Sequence, residues 1–309
     1  MNNTEAGRYV MIATACLMGG FGVLVAVWSV IAKLRGRPAW PIWRRYLAWF
    51  VITPPLVLPL AYSKVGYQVV VFVLSSLCFR EYSRATGLWK DKKLVIACHV
   101  AIAAIYYPVF VEWYGFYQAM PAFAMAFVLM IPVIRDEYEH MIQKVCLAIL
   151  GVLYFGWFLS HVAFLRNVEH SVAYIFFLLV IVESNDAFGY LWGSLIGRRK
   201  LVPQISPNKT REGMIGAVVS VLGLAVLLRV LVPQISTPHL LVLTFVLAVF
   251  GVCGDLMMSY IKRDLRIKDT GSVIPGHGGL LDRFDSLLLT APMFFHFLRY
   301  HYGHLSHGW

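Results

Sequence analysis

The segment from Ser259 to Asp285 gathers Ser259, Lys262, Arg263, Lys268, Asp269, His277, Asp282, Arg283 and Asp285 around the run Pro275-Gly276-His277-Gly278-Gly279. This mixture suits phosphate chemistry. Carboxylate oxygens hold hard cations such as Mg²⁺, Lys and Arg neutralise phosphate, and glycine-rich backbone can turn its amides toward an anion. Asp255, Ser259 and Lys262 follow i, i+4, i+7, so one helical stripe presents a carboxylate, a hydroxyl and an ammonium, with Arg263 beside it. Asp282 and Asp285 open the next helix at i, i+3, where either can also serve as a cap. His277 can donate to a phosphate oxygen or simply complete the turn.

Two upstream clusters extend the same chemistry. Ser206-Pro-Asn-Lys209-Thr210-Arg211-Glu212-Gly213 supplies hydroxyls and cations suited to a triphosphate. Glu183, Asp186 and Tyr190 lie at i, i+3, i+7, so one helix face carries both acids and a phenol. Neither a GxxxxGK[ST] loop nor a GxGxxG turn occurs, which excludes a P-loop or dinucleotide fold as the source of the phosphate affinity.

The elements that must position these groups are membrane helices. Of 309 residues, 59% are hydrophobic and 14% charged, and the mean hydropathy is +0.69. An ordinary soluble domain is not this apolar. A bilayer core needs roughly 20 apolar residues per span. Runs at 9–32, 114–134, 145–165, 171–193 and 214–232 meet or approach that length, and shorter ones at 46–62, 65–79, 94–111, 239–253 and 286–299 add to them. The expected fold is all-α, a polytopic integral membrane protein with about 8–10 transmembrane helices and cytoplasmic polar loops. The first run is read as a retained helix, because no basic n-region or small-residue cleavage site precedes it. Pro54 and Pro55 predict a bent second helix.

Alternating the spans places 22 Lys and Arg on one side and 5 on the other. By the positive-inside rule both chain ends face out and the Ser259–Asp285 island faces the cytoplasm. Residues 1–165 read as N-terminal scaffold helices, and 166–309 as the catalytic region with the nucleotide and metal site. The five cysteines, all in or beside apolar runs, read as packing thiols, and His296, His301, His304 and His307 as a solvated tail.

The island resembles the signature of the phosphatidate cytidylyltransferases, or CDP-diacylglycerol synthases. Its pattern is Ser-x-aliphatic-Lys-Arg, four residues, Lys-Asp, a small residue, then Pro-Gly-His-Gly-Gly and Asp-Arg-x-Asp, and every defining position is filled. Asn185-Asp186-x-x-Gly189-Tyr190 and the 206–213 block look like the family's other motifs in the same order; Gly189 stands where members commonly carry Ala. The resemblance covers roughly residues 180–290.

It implies condensation of CTP with phosphatidic acid to CDP-diacylglycerol and pyrophosphate, with Mg²⁺, in phospholipid biosynthesis. Metal coordination then falls to Asp255 and Asp282, with Asp285 and Asp269 for a second cation or for orienting cations. Lys209, Arg211, Lys262, Arg263, Lys268 and His277 become the catalytic set. Asp186, Tyr190, Ser206, Thr210, Ser259, Gly278, Gly279 and Arg283 would contact substrate. Membrane lipids surround the protein, no nucleic-acid partner is expected, and a homodimer stays open. The expected location is the bacterial inner membrane, with the site toward the cytoplasm. Two alternatives remain: a nucleotidyl- or phosphotransferase acting on another membrane lipid phosphate, and an ion-coupled transporter, which would show inverted repeats and broken helices.

Overall fold

Each apolar run becomes a helix because backbone polar groups in hydrocarbon must be satisfied within the segment. The computed structural model describes residues 3–34, 40–267, 270–271 and 279–303. In chain order the helices are α1 (Asn3–Leu34), α2 (Trp40–Tyr62), α3 (Lys64–Ala85), α4 (Lys92–Phe110), α5 (Tyr114–Arg135), α6 (Met141–Leu165), α7 (Ser171–Ile196), α8 (Arg211–Leu227), α9 (Thr237–Asp264) and α10 (Asp285–Tyr302). The chain is an all-α polytopic membrane protein.

Seven of these, α1 and α4 to α9, are long and apolar enough to cross a bilayer by length and composition. The other three carry more polar or proline residues. Helix α2 holds Pro54, Pro55 and Pro59, α3 includes Gln68, Arg80, Glu81 and Arg84, and α10 includes Asp285, His296 and Arg299. Helix α6 is not uniform, since Val152–Phe158 widens into a π-helix where Gly151 and Gly156 let Phe79 and Ile102 approach closely.

One departure from an all-helical reading precedes α8. Residues 200–202 (β1) and 206–210 (β2) pair as an antiparallel hairpin, Lys200 opposite Thr210 and Val202 opposite Ser206. A second concerns the histidines. His296 and His301 lie within α10, and His296 Nε2 sits 3.2 Å from His161 Nε2 on α6, so these two are packing residues rather than tail. His304 and His307 fall outside the described residues. Cys78 and Cys98 are buried as expected, whereas Cys16, Cys146 and Cys253 lie on the outer surface.

Large aromatics hold the N-terminal helices together. Tyr67, Phe79 and Tyr82 of α3, Tyr106 of α4, Tyr117 of α5 and Phe155 of α6 are all fully buried. Three of the tyrosine hydroxyls find partners inside the bundle: Tyr106 with Ser75 at 2.6 Å, Tyr117 with Ser160 at 2.8 Å, and Tyr82 with the Leu147 carbonyl at 3.1 Å.

Asp91 fixes one end of the bundle. It accepts from the Leu94 amide at the start of α4 and takes both oxygens to Arg135 Nη1, at 2.7 and 2.9 Å. Burial opposes its ionisation, but Arg135, the Leu94 amide and Lys144 prevail and hold the carboxyl below the ordinary 3.8. A carboxyl depressed in the folded state contributes stability above its unfolded value, lost only as pH falls through the folded one. Asp91→Asn is therefore expected to cost about 1 kcal/mol. Its lowering of Tm should be equal at pH 7 and pH 5 and shrink only below 3.8; a difference already vanishing at pH 5 would contradict the pairing.

Candidate active site

Small residues set the first wall. Helices α7 and α8 meet through Gly189, Gly193, Gly213 and Ala217, and a Cβ on Gly213 would stand 2.8 Å from the Gly189 carbonyl. Thr210 caps α8 by accepting from the Gly213 amide at 3.1 Å. Glu212, on the first turn, accepts from the Arg198 and Arg199 amides. The hairpin is thus tied down at both ends, and its β2 residues Ser206, Asn208, Lys209 and Thr210 face Asp186, Gly189 and Tyr190 of α7 across one cavity.

The second wall is the α9–α10 contact. A Cβ on Gly254 would lie 2.6 Å from the Asp285 carbonyl oxygen, so only glycine lets α10 begin this close to Asp255. Asp255 pairs with Lys209 of β2 at 2.6 Å and accepts from the Ser259 hydroxyl at 3.3 Å. Asp186 accepts from the Ser286 hydroxyl at 2.8 Å, while Asp285 accepts from the Ser286 amide at 2.9 Å. Gly254→Ala is expected to leave a folded, detergent-soluble protein whose turnover falls at least about tenfold, since the added methyl must push α10 away from Asp255. Unchanged turnover would mean that this spacing does not matter to the chemistry.

Asp282 ties together Lys262, Thr270 and Gly279. Lys262 Nζ donates to Oδ1 at 2.7 Å. Oδ2 accepts from the Thr270 amide, the Thr270 hydroxyl and the Gly279 amide at 3.0 to 3.1 Å. Burial opposes ionisation here too, yet Lys262 and the two amides outweigh it and hold the Asp282 carboxyl below the usual carboxylate range.

A carboxylate that sequence reasoning passed over completes the anchor. Glu81 of α3 is 7% exposed. It accepts from the Leu280 amide at 3.0 Å and from the Leu281 amide at 2.9 Å. These are the first amides of the short turn Leu281–Arg283 that presents Asp282. Any Cβ at Gly271 or Gly279 would strike the Glu81 carboxyl, which explains both glycines. Helix α3 therefore reaches into the Ser259–Asp285 segment.

Together these elements enclose a cavity of about 340 Å³. Its lining includes Asp186, Tyr190, Ser206, Lys209, Thr210, Asp255, Asp282 and Asp285 from the expected set. Glu183, on the same helix as Asp186, does not line it. Ser259 and Lys262 act on it indirectly, through Asp255 and Asp282. Arg263 Nε donates to the Ile205 carbonyl at 3.2 Å and steadies the hairpin tip. Arg211 is exposed on the first turn of α8, and Arg283 lies within electrostatic reach of Glu183. Lys268, Asp269, His277 and Gly278 fall outside the described residues.

Four carboxylates against Lys209, the one lining cation among the described residues, give the cavity wall more acids than bases. The donor set fits a hard divalent cation such as Mg²⁺, which takes one or two carboxylates and fills its remaining positions with water and phosphate oxygens. Among the described residues no three acids, histidines or cysteines converge closely enough to hold an ion unaided.

Residues 43–301 match the cytidylyltransferase family. A phosphatidate cytidylyltransferase of Bacillus subtilis strain 168 is 33% identical over 245 residues, 76% of this chain and 89% of that protein. One from Staphylococcus saprophyticus is 33% identical over 183 residues, 59% of this chain and 70% of its own length. An uncharacterized Escherichia coli K12 protein, YnbB, is 43% identical over 161 residues, 49% of this chain and 54% of that protein.

Proposed function

This chain belongs to the cytidylyltransferase family, and as a nucleotidyltransferase of the membrane we propose that it transfers the cytidylyl group of CTP to phosphatidic acid. The products are CDP-diacylglycerol and pyrophosphate. The observation that carries this reading is the acid-rich cavity at the ends of α7 and α9, with Lys209 reaching into it beside Asp255. Acyl chains stay in the bilayer while the nucleotide comes from water. The 22-to-5 division of Lys and Arg supports a cytoplasmic site in the inner membrane.

The phosphatidate monoester is largely ionised near neutral pH. Its oxygen attacks the α-phosphorus of CTP, a new P–O bond forms, and the bond to the β-phosphate bridge breaks with pyrophosphate leaving. No strong base is needed, so the protein's contribution is alignment and charge neutralisation. Lys209 sits where it can exchange Asp255 for a phosphate oxygen. Ser206 and Thr210 offer hydroxyls from the hairpin wall, and Tyr190, 80% exposed, stands at the rim. The metal pair expected from the sequence is Asp255 and Asp282; because Asp282 already accepts from four donors, Asp255 and Asp285, on facing helices, would hold Mg²⁺ instead, with Asp186 near them. Bound there, the ion would neutralise triphosphate and pyrophosphate charge.

The test is a lipid panel with purified protein in detergent, labelled CTP and Mg²⁺. Phosphatidic acid is expected to yield CDP-diacylglycerol and pyrophosphate one to one. Turnover of a polyprenyl phosphate or another lipid monoester in its place would move the reading to that lipid.

A further inference from the structure

A second cavity, of about 640 Å³, opens where the α3–α4 turn meets the α5–α6 turn, and its chemistry is opposite to that of the acid-rich one. Lys90, Lys92, Lys93, Arg135 and Lys144 line it, against the single carboxylate of Asp91. Arg135 and Lys144 both engage Asp91, at 2.7 and 3.7 Å. Lys90, Lys92 and Lys93 are exposed and have no carboxylate within ion-pair distance among the described residues. One acid therefore organises two cations and leaves three unspent.

The position selects the kind of anion. Glu81 places the end of α3 beside Leu280 and Leu281, so the 86–93 turn opens on the face that carries the acid-rich cavity. The cavity lies at the beginnings of α4 and α6, two helices long and apolar enough to cross a membrane, and the ends of such helices are where headgroups are met. Their N-termini add positive potential to that of the lysines. Its wall includes Leu88 and Leu147. Trp89, 37% exposed, sits beside it under the guanidinium groups of Arg84 and Arg80, at 5.0 and 5.9 Å, as aromatic residues do at a membrane interface. Cations above apolar side chains at this depth match a phosphate joined to a glycerolipid better than a freely diffusing one.

We propose that this basic cavity binds the phosphate headgroup of an anionic phospholipid, at a site separate from the acid-rich cavity. The lipid there is a bound neighbour, not a reactant: no residue of the cavity belongs to the catalytic set, and the two cavities share no lining residue.

Native mass spectrometry of the full chain in detergent tests this with phosphatidylglycerol and phosphatidylcholine of the same acyl chains. Phosphatidylglycerol is a phosphodiester and does not stand in for the attacking monoester. It is expected to be retained at least about tenfold more than phosphatidylcholine, at roughly the strength that several near-surface lysines confer. The K90Q/K92Q/K93Q variant should lose that preference, whereas K90R/K92R/K93R should keep it. Glycerol 3-phosphate at equal concentration should fail to displace the lipid. Equal retention of the two lipids, or a preference that survives in the glutamine variant, overturns the site. Displacement by glycerol 3-phosphate overturns the lipid as its occupant in favour of a soluble phosphate ester. The readout is lipid retention, so it stands apart from the outcome of any turnover assay.

Discussion

Asp282→Asn is expected to lower turnover by roughly 10³-fold while leaving a monodisperse, folded protein. The residue receives an ammonium, a hydroxyl and two backbone amides. Removing one member of a buried ion pair leaves the other charge uncompensated, a loss of about 3–5 kcal/mol. An asparagine amide would also turn an N–H₂ toward groups that are themselves donors. Two roles are separable by experiment. If Asp282 acts by holding Lys262 and the Thr270–Gly279 strap, Lys262→Met should be nearly as damaging, and the double variant no worse than either single one. If it ligates Mg²⁺ instead, the Asp282→Asn protein should need more Mg²⁺ for half-maximal rate, and Lys262→Met should not. The four donors already on the carboxylate favour the first outcome. Full turnover by Asp282→Asn would remove it from both roles.

The parts of this fold that sequence made legible are those governed by local rules. Apolar runs located the ten long helices among the described residues, and for the seven long and apolar enough to cross a bilayer the reason is that a span needs roughly that length. The i, i+4, i+7 stripe of Asp255, Ser259 and Lys262 was legible too, since helical spacing alone puts those side chains on one face. Acid spacing on α7 was a weaker guide: Asp186 lines the cavity while Glu183 does not, and periodicity cannot tell which part of a stripe the neighbouring helices cover. Lys209 was readable as a phosphate-side cation, but its partner Asp255 lies 46 residues away and is set by how the hairpin folds over α9. The hairpin itself is short, and its strand residues include Pro207 and Asn208, so propensity did not announce it. His296 looked like part of a tail because the apolar run frays there, whereas its packing against His161 comes from the opposite half of the chain.

Glu81 shows the same limit at a residue that matters. It stands in Arg80-Glu81-Tyr82-Ser83-Arg84, a stretch whose evident signal is its basic charge at a helix end. The only local hint was an acid among those cations. Its partners are amides some 200 residues on, and backbone amides leave no trace in residue type. Glu81→Gln is expected to reduce turnover about 10- to 100-fold: one oxygen still accepts, while the new N–H₂ confronts the second amide and shifts the turn that carries Asp282. Glu81→Ala should be worse, since it strands both amides and empties the space that Gly271 and Gly279 leave for the carboxylate. Glu81→Asp keeps the charge but falls one methylene short, and should lie between wild type and alanine. A purely structural role would lower Tm in proportion across the three and leave the turnover of the folded fraction unchanged. A positioning role predicts that kcat falls in protein that remains folded at the assay temperature. It also predicts faster amide exchange at 279–285 and little change in α5. Wild-type turnover in Glu81→Ala would show that the signature segment holds its shape without α3.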